Sequence, residues 1–119
     1  MDDIPSAEPD AVVVITTVDD GEKAQETARA LVAARLAACV STLSDLTSVY
    51  RWKGDILEEP ESLLLIKTCN GRVDDLKAWF SAHHPYDVPE FLVFQATAVT
   101  DAYLAWLLQA TQPTESGDR

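Results

Sequence analysis

The order of apolar and polar residues along the chain alternates between the patterns of strands and of helices. Residues 11–18, AVVVITTV, are β-branched and almost entirely apolar, which predicts a central strand covered on at least one face. Small and apolar residues then recur at helical spacing from Glu22 to about Ala37, which predicts a helix packed closely on a sheet. Asp19 and Glu22 have the spacing of a capping box, so we expect this helix to begin there.

A long β-hairpin is predicted next. Strand-like residues at 39–43 and 47–52 lead into a turn-forming sequence at 53–55, and residues 55–68 form the returning arm. Pro60 has no N–H to donate, so this arm should lie at a sheet edge or be bulged at that point. The arm would extend about 46 Å at about 3.3 Å per residue, whereas a domain of this size has a radius of gyration of about 13 Å. We therefore expect the hairpin to reach a neighbouring subunit and to pair with its sheet.

The second half of the chain repeats the pattern of a helix followed by a strand. A helix is predicted from Asn70 and should end at His84, because Pro85 disfavours helical geometry in the residue before it. Its expected buried stripe consists of Val73, Leu76 and Phe80. Residues 91–99, FLVFQATAV, predict a strand, and a short last helix should begin near Thr100.

The predicted order of elements specifies an α+β fold. A βαββαβ order with an extra C-terminal helix is that of a ferredoxin-like sandwich, with helices on one face of an antiparallel sheet. We expect a single domain over residues 11–111, between a flexible acidic tail at 1–10 and a flexible tail at 112–119.

Charge and composition narrow the classes of partner. The 119 residues carry 20 Asp and Glu against nine Lys and Arg, a formal net charge of -11. This is the wrong sign for binding phosphate backbones or anionic membranes, so we expect neither nucleic acid nor membrane as a partner. The N-terminal residues have neither the basic nor the apolar region of a secretion signal, and the interpretation is a cytoplasmic protein.

No enzyme motif is evident, and the two cysteines offer limited chemistry. The chain has no glycine-rich phosphate loop, no G-x-S-x-G, no C-x-x-C and no H-E-x-x-H, so an enzyme is the least favoured class. Cys39 and Cys69 are too few for a disulfide framework, and in a reducing compartment we expect free thiols. They are interpreted as small buried apolar residues, or as ligands of a soft metal if a second ligand lies nearby.

The segment HHPYDVPE at 83–90 holds the main metal-binding candidates. His83 and His84 are neutral imidazoles of the kind that bind Cu(II). Neighbouring side chains in a helix point about 100° apart, but this objection weakens at a helix end. The alternative is structural, with His83 at the negative end of the helix dipole and His84 hydrogen-bonded within a rigid turn.

Lys67 is unusual because it follows the apolar run LLLI in a predicted strand. A buried ammonium group needs a partner, so we expect an ion pair or, as the alternative, an anionic ligand. The candidate carboxylates are Glu59, Glu61 and Glu90. Tyr50 and Trp52 share one face of their strand, where they are interpreted as interface or core aromatics rather than a ligand cage.

Five ordered motifs together resemble the CutA-type divalent-cation tolerance family. They are RLAACV (35–40), SVYRWKGD (48–55), LLLIKT (63–68), HHPYDVPE (83–90) and YLAWL (103–107). The similarity extends over about residues 11–110. It implies a ferredoxin-like subunit in a homotrimer joined by strand pairing, with a cytoplasmic role in tolerance of copper and other divalent metals. Since no enzyme motif is evident, we interpret the role as non-enzymatic metal binding.

The resemblance also implies two kinds of site. A copper site in the family uses a first-strand Cys and the His pair, which correspond here to Thr16 and to His83 and His84. Because a hydroxyl is a weaker ligand than a thiolate, Cu(II) or another divalent metal is expected to bind weakly or transiently, or with Cys39 or Cys69 instead. The second site is an intersubunit cleft for a small ligand, and trimeric PII-type signalling proteins share this architecture. Its residues would be Tyr50, Trp52, Lys67, Tyr86 and Glu90.

Overall fold

The computed structural model describes residues 10–84 and 86–113. Its elements are β1 (Ala11–Val18), α1 (Gly21–Ala33), β2 (Cys39–Trp52), β3 (Asp55–Cys69), a 3₁₀ turn (Asn70–Arg72), α2 (Val73–His83), β4 (Leu92–Gln95) and α3 (Asp101–Ala110). This order confirms the predicted α+β architecture with its extra C-terminal helix. The tails predicted at 1–10 and 112–119 fall mostly outside the described residues.

A four-stranded antiparallel sheet in the order β2-β3-β1-β4 forms the centre of the fold. The central position predicted for β1 is confirmed, because it pairs with β3 from Ala11 opposite Cys69 to Val18 opposite Ser62, and with β4 on its other side. From Asp55 to Glu61, within the described part of the chain, β3 pairs only with β2. The distal half of the hairpin is therefore a two-stranded ribbon that projects past the sheet.

The ribbon differs from its prediction in one respect. The two segments expected at 39–43 and 47–52 are a single strand, with an irregularity between Leu43 and Leu46 where Asp45 has a left-handed φ of 64°. Asp tolerates this conformation better than most residues. Pro60 lies opposite Thr47 in the two-stranded part, so the edge position predicted for it is confirmed, while the bulge lies on the partner strand.

One face of the sheet is covered by α1 and α2. The even-numbered positions of β1, and those of β3 from Ser62 to Thr68, turn towards these helices and are almost fully buried. This core comprises Val12, Val14, Val18, Leu64 and Ile66 from the sheet with Ala24, Leu31, Leu76 and Phe80 from the helices. Burying each Leu or Ile side chain contributes about 1.5–3 kcal/mol, so this layer supplies most of the stability.

The other face of the sheet is only partly covered. Helix α3 packs at one end of it, where Leu107 contacts Ala11 and Cys69. The remaining positions on this face follow from the strand register, because directly paired residues share a face. We call this surface the open sheet face, and it carries Val13, Ile15, Leu65, Leu92 and Phe94. Leu92 is 49% exposed and Phe94 is 51% exposed.

The limits predicted for α1 were wrong at both ends. The N-cap is Asp20 rather than Asp19, since the Asp20 carboxylate accepts a hydrogen bond from the Lys23 N–H at 2.6 Å. The helix ends at Ala33, four residues before the expected end, because Arg35 adopts a left-handed φ of 61°.

The second helix and the last strand also differ in length from their predictions. The residues from Asn70 form a 3₁₀ turn before α2 begins at Val73, while His84 leaves helical geometry as predicted, with ψ at 137°. The strand expected at 91–99 is only Leu92–Gln95. Its partner β1 begins at Ala11, whose carbonyl accepts from the Ala96 N–H, so within the described residues the pairing of β4 with β1 ends there. In the described residues no helix has the length and apolar character that crossing a membrane requires.

Candidate functional site

A cleft of about 680 Å³ lies between the two-stranded ribbon, the end of β1 and the segment after α2. We call it the acidic cleft. Its lining residues are Thr17, Asp19, Ser48, Val49, Tyr50, Trp52, Glu59, Pro60, Glu61, Tyr86, Asp87, Val88 and Glu90. Four of the five residues that the resemblance implied for a ligand cleft are brought together here, namely Tyr50, Trp52, Tyr86 and Glu90.

Four segments of the chain supply the walls of the acidic cleft, namely β2, β3, the end of β1 and the residues after α2. Tyr50 and Trp52 stand two residues apart on β2, so both rings are on the same face of the ribbon. The carboxylates of Glu59 and Glu61 come from β3 with the same spacing. Asp19 follows directly after β1 and also lines the cleft. The cleft therefore depends on the register of the hairpin and on the path of the chain after α2.

The electrostatics of the acidic cleft are dominated by carboxylates. Burial raises the pKa of the Glu90 carboxyl, and the negative charge of Glu61 raises it further. The Tyr86 hydroxyl donates a hydrogen bond to Glu61 Oε2 at 2.9 Å. Burial, followed by this bond to a carboxylate, raises the pKa of the Tyr86 phenol well above its usual range. The phenol therefore keeps its proton and acts as a hydrogen-bond donor that holds Glu61 in place.

His84 is held by hydrogen bonds at both ring nitrogens. Its Nδ1 accepts from the Tyr86 backbone N–H at 3.1 Å, so the ring proton lies on Nε2, which donates to the Thr17 carbonyl at 2.9 Å. Burial lowers the pKa of the imidazole, which agrees with this neutral form. Thr16 Oγ1 lies 3.4 Å from Nε2. The structure thus brings together two of the three positions that the resemblance implied for a metal site, Thr16 and His84.

His83 belongs to a different environment. Its ring stacks on Trp79 with centroids 4.2 Å apart and planes at 17°, and its Nδ1 donates to the Trp79 carbonyl at 2.8 Å. The side chain is exposed, and within the described residues Nε2 makes no hydrogen bond. The two histidines are therefore oriented by different partners, one by its own helix and the other by β1.

Lys67 lies outside the acidic cleft. Its Nζ donates to Ser41 Oγ at 2.7 Å and lies 3.8 Å from Cys39 Sγ. The ion pair predicted with Glu59, Glu61 or Glu90 was wrong, since none of these three carboxylates contacts it. The reason is distance along the strand, because Lys67 is paired with Val13 and Cys39 in the sheet, whereas Glu61 and Glu59 precede it on β3 by six and eight residues. At about 3.3 Å per residue this separation is about 20 Å or more.

The two thiols are free, as predicted, and separate from the histidines. Cys39 is half-buried beside Lys67, and Cys69 is buried with its Sγ 3.4 Å from Thr111 Oγ1. Over residues 10–84 and 86–113 there is no group of three or more His, Cys, Asp or Glu side chains arranged to hold a metal ion. A metal bound by this subunit alone would have few ligands.

Sequence reasoning did not identify three acidic residues of the cleft, Asp19, Glu59 and Glu61, as parts of a ligand site. Asp19 was interpreted as a helix cap, and Glu59 and Glu61 as candidate partners for Lys67 and, together with Glu58, as a solvated edge rather than a patch for a hard cation. Their shared face becomes evident once the hairpin register is known, since Glu59 stands opposite Ser48. The period of two in the sequence predicts that Glu59 and Glu61 share one face of the strand, but it does not predict that this face lines the cleft.

Comparison with known proteins gives consistent matches. A family model described as CutA1 divalent ion tolerance protein matches residues 12–110. The divalent-cation tolerance protein CutA of Thermus thermophilus is 44% identical over 99 residues, covering 83% of this chain and 96% of that protein. The chloroplastic protein CutA of Arabidopsis thaliana is 37% identical over 102 residues, covering 86% of this chain and 56% of that protein. The structure of CutA from Synechococcus elongatus complexed with a Bis-Tris molecule matches with a TM-score of 0.79 at 39% identity, covering 86% and 94% of the two chains.

Proposed function

Because the chain belongs to the CutA1 divalent ion tolerance protein family, we propose that it acts in tolerance of divalent cations as a non-enzymatic, metal-binding homotrimer in the cytoplasm. Cu(II) is the metal proposed first, held weakly or transiently, since imidazole nitrogen suits this ion. The observation that carries the metal assignment is that His83 Nε2 makes no hydrogen bond within residues 10–84 and 86–113, on an exposed ring that stacks on Trp79. Trp79 fixes the orientation of that ring, which leaves Nε2 available as a ligand.

His84 contributes differently to this proposal. Binding a metal at either of its nitrogens would break a hydrogen bond to Tyr86 or to Thr17. A buried donor or acceptor left without a partner costs about 1–3 kcal/mol, which opposes metal ligation at this ring. We therefore assign His83 as the ligand and His84 as a residue that orients the segment after α2.

Copper titration of single variants tests this assignment. His83→Ala should weaken Cu(II) binding at least about tenfold in calorimetry, which corresponds to about 1.4 kcal/mol. His84→Gln is the matched control and should retain the affinity of the parent protein. Affinity should also fall in acidic buffer, because protons compete with the metal for imidazole. Equal binding by the parent and His83→Ala would refute the metal assignment.

The homotrimer is supported by the surfaces that one chain leaves uncovered. The open sheet face exposes Leu92 and Phe94, and the two-stranded ribbon projects past the four-stranded sheet of its own subunit. Single exposed apolar residues are common, but a contiguous apolar sheet face is typical of a protein interface. Packing between copies would bury this face and pair the ribbon edges.

A second candidate function is that of a PII-like signalling or scaffold trimer that binds a small ligand. The observation that favours it is the acidic cleft, where four of the implied residues converge. A Synechococcus relative of this chain has been crystallised with Bis-Tris, a hydroxylated amine. Cleft variants that abolish a ligand-induced rise in melting temperature, with Cu(II) binding unchanged, would favour this function over the first.

A further inference from the structure

We propose that the acidic cleft selects organic ammonium ions, in preference to bare metal ions, neutral molecules and anions. This inference rests on the cleft function proposed above as the second candidate and specifies the chemical class of its ligand. Three independent features of the cleft support it, namely its size, the sign of its charge and the exposed aromatic rings in its wall.

The size of the acidic cleft is that of a molecule and not of a single ion. A volume of about 680 Å³ holds about twenty water molecules at about 30 Å³ each. Divalent metals need several oxygen ligands at about 2.0–2.6 Å, which requires the carboxylates to converge on one point. In the described part of the chain no three acidic side chains converge in that way. The carboxylates of the cleft instead surround a space that a larger cation would fill.

The charge that this subunit contributes to the acidic cleft disfavours anions. Of its described lining residues five are acidic and none is lysine or arginine. Glu61 and Glu90 lie close enough for the charge of one to raise the pKa of the other. A cation between them would relieve this repulsion, whereas an anion would add to it.

The aromatic rings specify an organic rather than a fully hydrated cation. Tyr50 is 42% exposed and Trp52 is 39% exposed, so both rings offer accessible surface to the cleft. Ammonium groups bind favourably over such rings, and Trp is the best of them. Trp52 already shows this property within the chain, because Lys53 Nζ lies 5.8 Å from its ring centroid. An alkylammonium ligand would combine apolar contact with the rings and charge pairing with Glu59, Glu61 or Glu90.

Titration with choline chloride, monitored by two-dimensional NMR of the full chain at fixed ionic strength, tests the proposed ligand class. Choline should shift the signals of Tyr50, Trp52 and Tyr86 in a saturable way. The neutral isostere 3,3-dimethylbutan-1-ol should bind at least about tenfold more weakly, because it has the same shape without the charge. Equal binding of the two compounds would overturn the proposal.

Two neighbouring residues on β3 provide a matched pair of variants. Glu59 lines the cleft and Glu58 does not, although both are exposed and both substitutions remove one negative charge. Glu59→Gln should weaken choline binding at least about threefold, while Glu58→Gln should leave it unchanged. Equal weakening by the two variants would indicate only general attraction to an acidic protein and would overturn the proposal.

Failure of the ligand class is distinguishable from failure of the cleft function. If an anionic or neutral compound shifts the NMR signals of Tyr50, Trp52 and Tyr86 and choline does not, the cleft binds a small ligand but the ammonium assignment is wrong. If choline and a broad panel of metabolites all leave the signals of Tyr50, Trp52 and Tyr86 unchanged, the cleft function falls together with the ammonium assignment.

Discussion

At the scale of single residues, the two adjacent histidines differ because of their partners. The sequence makes His83 and His84 equivalent, whereas the structure stacks one ring on Trp79 and hydrogen-bonds the other to Thr17 and Tyr86. The bond from His83 to the Trp79 carbonyl and the bond from Tyr86 to His84 agree with the structural alternative, whereas the bond from His84 to Thr17 lies outside the turn. A turn within the chain can be predicted from Pro85, but the carbonyl that His84 meets comes from β1, and only the tertiary fold determines that contact.

The environment of His84 predicts how stability depends on pH. Burial lowers the pKa of its imidazole in the folded state below 6.5, the value for an unfolded chain, despite the opposing effect of Asp19 and Glu61. Its contribution to stability is therefore complete above about pH 6.5 and is lost as the pH falls below that value. His84→Gln should remove this dependence and cost about 1–2 kcal/mol at pH 8 through the lost hydrogen bonds. Urea unfolding at pH 8 and pH 5.5 measures both effects, and an unchanged pH dependence in the variant would contradict this account.

Glu90 predicts an effect of opposite sign. Burial and the charge of Glu61 raise the pKa of Glu90, so its ionised form destabilises the folded state, and stability is lost as the pH rises through the raised value. Glu90→Gln should therefore raise the melting temperature at pH 7 by about 1–3 °C. Glu58→Gln, on the exposed ribbon, is the control for the change in net charge. A lower melting temperature for Glu90→Gln would argue against the proposed repulsion.

At the scale of elements, hydrophobic periodicity predicted which elements form better than where they end. The pattern of β1 predicted a central strand, and the stripe of Leu76 and Phe80 in α2 is buried as expected. The end of α1 depends on the left-handed backbone at Arg35, and the length of β4 depends on where its partner β1 begins. Neither property is local to the element concerned, so periodicity within that element could not predict it.

The start of α1 provides a prediction with a built-in control. Asp20 accepts from the Lys23 N–H, while its neighbour Asp19 lines the acidic cleft and does not cap the helix. Asp20→Ala should lower the free energy of unfolding by about 1 kcal/mol, the usual effect of removing an N-cap. Asp19→Ala should change it by less than about 0.5 kcal/mol. Urea unfolding of both variants decides between the two residues, and the reverse order would restore Asp19 as the cap.

At the scale of the whole molecule, one subunit leaves two surfaces incomplete. The extents of the described chain are 54 × 42 × 22 Å, which reflects a ribbon that projects well past the layered core. The long returning arm suggested this property from the sequence, and the structure confirms its length from Asp55 to Cys69. The composition of the open sheet face could not be predicted with equal detail, because it depends on which residues of β1, β3 and β4 stand in register.

The open sheet face should be sensitive to charge if copies of the chain pack there. Phe94→Glu would place a carboxylate in a dry interface, which is costly without a partner. Val32→Glu is the control, because Val32 is also an exposed apolar residue but lies on α1, on the opposite side of the sheet. We expect Phe94→Glu to dissociate the assembly into single chains and Val32→Glu to leave it intact, as measured by analytical ultracentrifugation. Intact assemblies of both variants would place the interface elsewhere.

The proposed homotrimer is the central claim, because the open sheet face and the ribbon edges remain uncovered in a single subunit. Light scattering of the full chain during size-exclusion chromatography, at micromolar concentration, tests it most directly. The account predicts one species with three times the 13.0 kDa mass of one chain. A species with the mass of a single chain would contradict it.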